Sequence, residues 1–193
     1  NIWAYARIDT VNAELLRELR RAGVRWLAYG IESGNEEIRR GVLKGNFNNP
    51  QIRDVVRMTQ DAGISVVGNY MLGFWDDTQD TMRETMDFAR ELNCEYANIY
   101  CVTVYPGSAL YDEMLARGVD LPRSGEEYAQ MSPRFKPVPT RHVAAAEVLR
   151  FRDKSFSDYY AGASYRAMMR DKFGAGVLEE IDGMLSIKLR ENI

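Results

Sequence analysis

The sequence predicts an α/β fold: a parallel (β/α) half-barrel of partial TIM-barrel type with a C-terminal helical extension. Three observations predict it. Four stretches of strand character alternate with stretches of helical spacing, the connections between them are a few residues long, and the strands are almost continuously apolar. Such alternation implies a parallel sheet wound in one sense by right-handed crossovers. Near-continuous apolarity is the mark of strands covered on both faces.

The first strand spans residues 2–9, rich in aromatic and β-branched side chains. A helix over 12–23 follows, with Leu15, Leu16, Leu19 and Ala22 at helical spacing, Asn12 as its N-cap and Gly23 as its stop. Residues 24–33 are the second strand, and 35–43 and 50–62 two helices separated by the turn-rich KGNFNNP; Pro50 suits a first helical turn and Gly63 ends the second helix. The third strand is 64–74, followed by a helix over 76–93 whose first turn is acidic, as the helix dipole favours. Residues 96–107 are the fourth strand and 109–118 a fifth helical piece. Ala28, Gly30, Gly68 and Gly73 are small enough for a crowded barrel interior, and four strands make half a barrel.

The pattern then breaks. Pro122, Pro133, Pro137 and Pro139 fall within 119–140, which reads as an irregular connector between a barrel half over 1–118 and a helical extension over 141–193. Thr140 is the expected N-cap of a helix over 141–161, with further helices over 163–173 and 176–190. Phe151, Phe156, Tyr159 and Tyr160 form an aromatic stripe on the first of these, the pattern of a packing face.

Composition narrows the function classes. At 193 residues and 46% hydrophobic the chain can bury a sizeable core and is not of disordered composition. A net charge of −3 with both signs interspersed gives no reason to invoke nucleic acid. No run approaches the roughly 18 apolar residues of a membrane span, and no signal-like segment opens the chain. Cys94 and Cys101 have neither a disulfide framework nor zinc spacing, and read as reduced thiols of a cytoplasmic protein. The single histidine, His142, falls in the first turn of an expected helix without a clustered ligand partner. Asn1 opens the chain in the middle of strand-like sequence, with no initiator Met, so a fragment of a longer protein is expected.

Ligands of parallel α/β sheets bind beyond the carboxyl ends of the strands. Each strand here turns polar at that end: Arg7 and Asp9; Glu32 and Ser33; Asn69 to Asp77; Thr103 to Ser108. Strand alternation puts Ala28, Gly30 and Glu32 on one face, and Val67, Asn69 and Met71 on one face. If those faces point inward, a carboxylate and an amide converge on the mouth, where they suit a polyhydroxylated ligand such as a ribose. The alternative for Glu32 is a structural role, capping the helix that begins near Asn35 or pairing with Arg7. No histidine lies near a strand end to build a hydrolytic triad, and no Walker or dinucleotide glycine fingerprint is present.

WLAYGIESGNEEI (26–38), DAGISVVGNYMLGFWDDTQDTMRETMDFARELN (61–93) and YPGSALYDEM (105–114), in this order and spacing, resemble the latter half of the radical S-adenosylmethionine (SAM) enzymes. The resemblance covers about residues 1–117 and is closest to the branch that carries an N-terminal cobalamin-binding domain. It implies strands three to six of a (β/α)6 barrel. In that family three cysteines of a CxxxCxxC loop hold a 4Fe–4S cluster, whose unique iron binds SAM for reductive cleavage to a 5′-deoxyadenosyl radical. The cluster loop and the methionine-binding glycine motif are absent here, so the resemblance implies that the cluster belongs to the N-terminal half of a longer protein. It extends to cobalamin as a cofactor of that protein.

Carried over residue by residue, the resemblance makes Glu32, with Ser33 beside it, a SAM contact at the ribose, and Asn69 a second polar contact near it. It places Met71 and Gly73 in the run beside the adenine, Thr103 within Val102–Val104 near the adenine, and Arg7 near the SAM carboxylate. Tyr105 and the tail aromatics face the substrate side. The usual Pro-Gly-Glu after the strand-five glycine is here Trp75-Asp76-Asp77, a departure in the loop. The implied function is a SAM- and substrate-facing part of a radical SAM Fe–S oxidoreductase or transferase acting on a small-molecule or modified-biomolecule substrate, inactive by itself. An unrelated sugar- or phosphate-binding barrel enzyme and a non-catalytic module are the alternatives. Lacking its first strands, the sheet is expected to leave an apolar edge on which two copies pair.

Overall fold

The computed structural model describes residues 1–41 and 47–187. Four strands, β1 (Ile2–Ala6), β2 (Val24–Glu32), β3 (Ser65–Leu72) and β4 (Tyr96–Cys101), form one parallel sheet in chain order. Helix α1 (Ala13–Arg21) links the first pair, α2 (Glu36–Gly41) and α3 (Asn49–Asp61) the second, and α4 (Gln79–Leu92) the third. After β4 come α5 (Ala109–Ala116), a single turn α6 (Gly125–Tyr128) within the connector, and three tail helices, α7 (Ala145–Tyr160), α8 (Ala163–Phe173) and α9 (Val177–Ser186). The fold is α/β, with the parallel sheet and helical tail that the sequence predicts.

Local chemistry sets most boundaries. The Asn12 side chain accepts from the Leu15 N–H to start α1, and Asn48 with Gln51 forms a reciprocal capping box ahead of Pro50 to start α3. Thr78 and Thr81 do the same for α4, so Asp76 and Asp77 precede that helix instead of opening it. The first strand stops at Ala6 because residues Ile8–Thr10 wind into a 3-10 turn in which both Thr10 N–H and its hydroxyl reach the Arg7 carbonyl. β4 ends at Cys101 rather than 107; the Pro106-Gly107 turn, with Gly107 at φ +86°, leads into the Ser108 cap of α5.

α7 starts four residues later than expected. The Thr140 hydroxyl accepts from the His142 and Val143 N–H groups and donates to the Asp77 carbonyl, so it organises a separate turn. His142 is therefore an exposed turn residue rather than a first-turn helix residue. The expected helix over 35–43 runs into residues 42–46, and the last expected helix beyond 187, both outside the described residues.

One face of the sheet is covered by helices. Leu27, Tyr29, Ile31, Val66, Tyr70, Leu72 and Ile99 pack there with Leu16, Ile52, Val56, Met82, Met86, Ala89 and Val148 in a single buried cluster. Burying each large aliphatic side chain contributes about 1.5–3 kcal/mol. The other face differs from the expectation of two covered faces. It carries Trp3, Tyr5 and Tyr96, exposed at 52, 71 and 41%. Aromatic side chains on that open face are what made the strands read as continuously apolar.

The tail seals the outer edge of β4. The Tyr160 hydroxyl accepts from Ala97 N–H and donates to Ala97 C=O, and the Gln130 side-chain amide pairs both ways with the Cys101 backbone. A phenol and an amide thus stand in for a fifth strand, which removes a pairing edge. Tyr159 donates to the Cys94 carbonyl and Tyr165 to the Glu95 carbonyl, so the aromatic stripe is a packing face on the helix side of the sheet. Glu95, itself buried, accepts from Val66 N–H and from Lys172 of α8.

Candidate functional site

The polar strand ends converge. At the carboxyl side of the sheet, against its open face, lies a cavity of about 650 Å³. Arg7, Glu32, Asn69 and Met71 line it, as does Gly30. Tyr5, Ile8, Phe47 and Tyr100 complete the wall, and strand sequence alone had not marked these four. Tyr5 and Tyr100 were findable by alternation, since each shares a face with residues already marked on its neighbouring strands: Tyr5 is opposite Ala28, and Tyr100 opposite Met71.

Glu32 owes its position to backbone irregularity. The register between β2 and β3 slips after Gly30, where Glu32 pairs with Tyr70. Ser33 N–H closes a three-residue turn onto the Ile31 carbonyl at 2.9 Å, with Glu32 at φ +65°. Bulges of this kind re-aim side chains at barrel rims, and a left-handed non-glycine residue costs on the order of 1–3 kcal/mol that its surroundings must offset. Those surroundings are visible. Ser33 and Thr85 hydroxyls bond at 3.0 Å, Gly34 N–H donates to Thr85 Oγ1, Asn49 donates to the Gly34 carbonyl, and Arg39 to the Ser33 carbonyl. The alternative roles for Glu32 go to other residues: Asn35 caps α2 through its own Oδ1, and Arg7 forms a two-pronged ion pair with Asp9. That guanidinium holds the exposed Asp9 carboxyl below its ordinary value.

The Glu32 carboxylate folds back over Gly30, where an added Cβ would lie 2.7 Å from Oε1. Gly30→Ala is therefore expected to push that carboxylate out of its place while changing stability little. A crystal structure of the variant checks it, a shifted Oε1 being the expected result.

Asn69 is held from both sides. Its Nδ2 donates to the Tyr29 carbonyl at 3.0 Å, and its Oδ1 accepts from Asn98 Nδ2 at 2.8 Å. A primary amide has two donor hydrogens and two acceptor lone pairs, so one of each is left for a ligand after these bonds. Asn98 is a further polar residue on this face that sequence reading passed over. Burial raises the Tyr100 phenol above its ordinary value, with Tyr96 and Tyr5 adding to it, so it stays a proton donor. The arrangement offers an anionic acceptor, an oriented amide and phenol donors around an aromatic wall, the kit for a hydroxylated ligand with a flat ring.

The other marked residues lie elsewhere. Ser33 is buried behind the turn on Thr85. Gly73, at φ +89°, donates its N–H to Asp77, and a Cβ there would meet Val148 of α7 at 2.7 Å. The Thr103 hydroxyl accepts from Gln130 at 2.6 Å. Val102 and Val104 are buried in a second apolar cluster with Met114, Leu121 and Val138. Tyr105 is exposed and stacks on Tyr128. None of these six appears in the cavity wall.

Neither cysteine fits a cluster. Cys94 and Cys101 are both buried in the helix-side core, and burial pushes the Cys94 thiol up to about 12, which keeps it protonated. Among the described residues no group of three or more His, Cys, Asp and Glu side chains is placed to hold a metal ion, and no helix is long and apolar enough to cross a membrane.

Fold and site together define a parallel α/β sheet with a polar-lined cavity at the carboxyl ends of its strands. The sequence region that builds it, residues 5–89, matches the model of the Radical SAM superfamily. Over 187 residues the chain is 25% identical to an uncharacterized methyltransferase of Pyrococcus horikoshii, covering 95% of this chain and 39% of that protein. Over 97 residues it is 28% identical to the bacteriochlorophyllide d C-12(1)-methyltransferase of Chlorobaculum tepidum, covering 50% and 21%. The chain thus spans about two fifths or less of the length of these relatives. In fold it is similar to the radical SAM methyltransferase TsrM from Kitasatospora setae, solved with tryptophan substrate and a SAM analogue: TM-score 0.58, 15% identity, covering 82% of this chain and 35% of that one.

Proposed function

We propose that this chain is the SAM- and substrate-facing part of a radical SAM enzyme, of the kind that transfers one-carbon or related groups. The observation that carries the reading is the convergence of Glu32 and Asn69 on one cavity at the strand ends, inside the region that matches the superfamily. Named methyltransferases and a putative methylthiotransferase of Methanocaldococcus jannaschii among the relatives support group transfer as the reaction class.

In this reading Glu32 accepts hydrogen bonds from the ribose hydroxyls of SAM and Asn69 orients the sugar. Met71 and Tyr100 supply apolar and aromatic surface, and Arg7 stands at the rim. Ser33, Gly73 and Thr103 act at one remove, through the turns they belong to. Cluster and SAM together supply the one-electron chemistry, and the cluster's ligands lie in another part of the longer protein. This chain contributes binding, orientation and an aromatic wall. A relative's fold has been solved with cobalamin and a [4Fe–4S] cluster bound, so an absorption spectrum of the longer protein belongs to the test.

The longer gene is expected to encode CxxxCxxC upstream of Asn1, and its reconstituted product to consume SAM under reducing conditions. By itself this chain is expected to bind SAM poorly and to pair through the β1 edge. The absence of those cysteines, or micromolar binding of SAM by this chain alone, would overturn the reading.

A further inference from the structure

The Glu32 turn is held by three helices, and one of the tethers is chemically unlike the rest. Thr85 and Asn49 are neutral partners. Arg39, on α2, is a cation only 2% exposed, and its Nη1 donates to the Ser33 carbonyl at 2.5 Å. Its Nη2 is buried without a hydrogen bond, 3.8 Å from Glu36 Oε1. The guanidinium lies 5.7 Å from the ring centroid of Phe47, itself part of the cavity wall.

We infer that Arg39 is a positioning residue for Glu32, gripping the Ser33 carbonyl so that the preceding residue stays left-handed and its carboxylate stays over Gly30. The inference rests on the proposed role of Glu32. Packing alone does not account for Arg39. A buried cation with an orphan nitrogen is a costly choice at a helix position where Leu or Met fills the same space without desolvation. What the cation supplies is a charge-assisted bond to one particular carbonyl. That carbonyl belongs to the residue whose N–H closes the turn around Glu32. Relaxing Glu32 out of the left-handed region reorients the Ser33 peptide and breaks the Arg39 bond, so the two are coupled through the backbone. Burial pulls the Arg39 guanidinium below its ordinary value, yet it remains a cation at any working pH.

The test is a double-mutant cycle on the longer protein with SAM as titrant and thermal unfolding recorded in parallel. Arg39→Met is expected to weaken SAM binding about fivefold, and Glu32→Gln by more, with the double variant no weaker than Glu32→Gln alone. Losses that multiply, or Arg39→Met at wild-type affinity while Glu32→Gln is weakened, would show that Arg39 does not act through Glu32 and overturn the inference. Should Arg39→Met fail to fold, Arg39→Lys replaces it in the same cycle, retaining the charge but not the reach. If Glu32→Gln itself binds normally, the SAM role of Glu32 falls. The crystal structure of the Arg39 variant then decides: Glu32 flipped to negative φ supports the positioning role, and an unchanged turn overturns it.

Discussion

Replacing Glu32 with alanine in the longer protein is expected to weaken SAM binding by about 10- to 100-fold, the loss of charge-assisted hydrogen bonding worth roughly 1.5–3 kcal/mol. Three features set the expectation. Glu32 is 5% exposed yet lines the cavity, so what contacts it there does so with little competition from water. Its backbone is held at φ +65° by bonds from three helices, so the carboxylate is oriented before a ligand arrives. Gly30 leaves room for it and Asn69 stands on the adjoining strand. Calorimetric titration measures the effect, and thermal unfolding separates it from a loss of fold. Because alanine still has to adopt the left-handed turn, stability should change by about 1 kcal/mol or less. Unchanged affinity would confine Glu32 to a role in shaping the turn.

The second large effect is on stability. Asp77→Ala is expected to destabilise the chain by about 3 kcal/mol, seen as a lower urea midpoint. The Asp77 carboxylate is 1% exposed. Oδ2 accepts from Gly73 and Phe74 N–H at 2.9 Å each, and Oδ1 from the Thr81 hydroxyl at 2.6 Å. Alanine leaves two amide hydrogens without their acceptor in the turn that joins β3 to α4. The loss also reaches the tail, because the Asp77 carbonyl accepts from Thr140, whose hydroxyl holds the turn that leads into α7.

Asp77 carries a pH signature too. Burial holds its carboxyl above the ordinary value despite three hydrogen bonds. Between the unfolded value, near 3.8, and the higher folded one, the native chain holds more protons than the unfolded chain. Its contribution is therefore fully present below pH 3.8 and declines as pH rises through the folded value. Asp77→Asn removes this titration while keeping an acceptor for the amides. Relative to wild type, the asparagine variant is expected to gain stability as pH rises across that window. A constant difference between the two proteins would count against a raised carboxyl.

The departure at Trp75-Asp76-Asp77 from the family's usual Pro-Gly-Glu looks from sequence like a disturbed loop. In three dimensions Asp77 closes it, since a carboxylate at that position reaches the N–H groups after the strand whatever the two residues before it are. Thr140 gave a similar lesson. An isolated threonine before apolar helical spacing is a sound cap signal. Here a carbonyl 63 residues away claims its hydroxyl, and the helix begins later with Ala144 at its cap.

Sequence by itself determined the order of strands and helices and the cap at Asn12. Those depend on periodicity and short-range hydrogen bonding, both written within a few neighbouring residues. It could not show which polar strand-end residues face the cavity and which turn away, because one slipped register between Gly30 and Glu32 reassigns the side chains after it. Nor could it show that one sheet face stays open, since an exposed aromatic and a buried one are the same letter. The aim of Glu32 rests on Thr85, Asn49 and Arg39, and the first two are brought to it from distant helices. Only the packed chain brings those groups within hydrogen-bonding distance, and the strained turn exists because they are there.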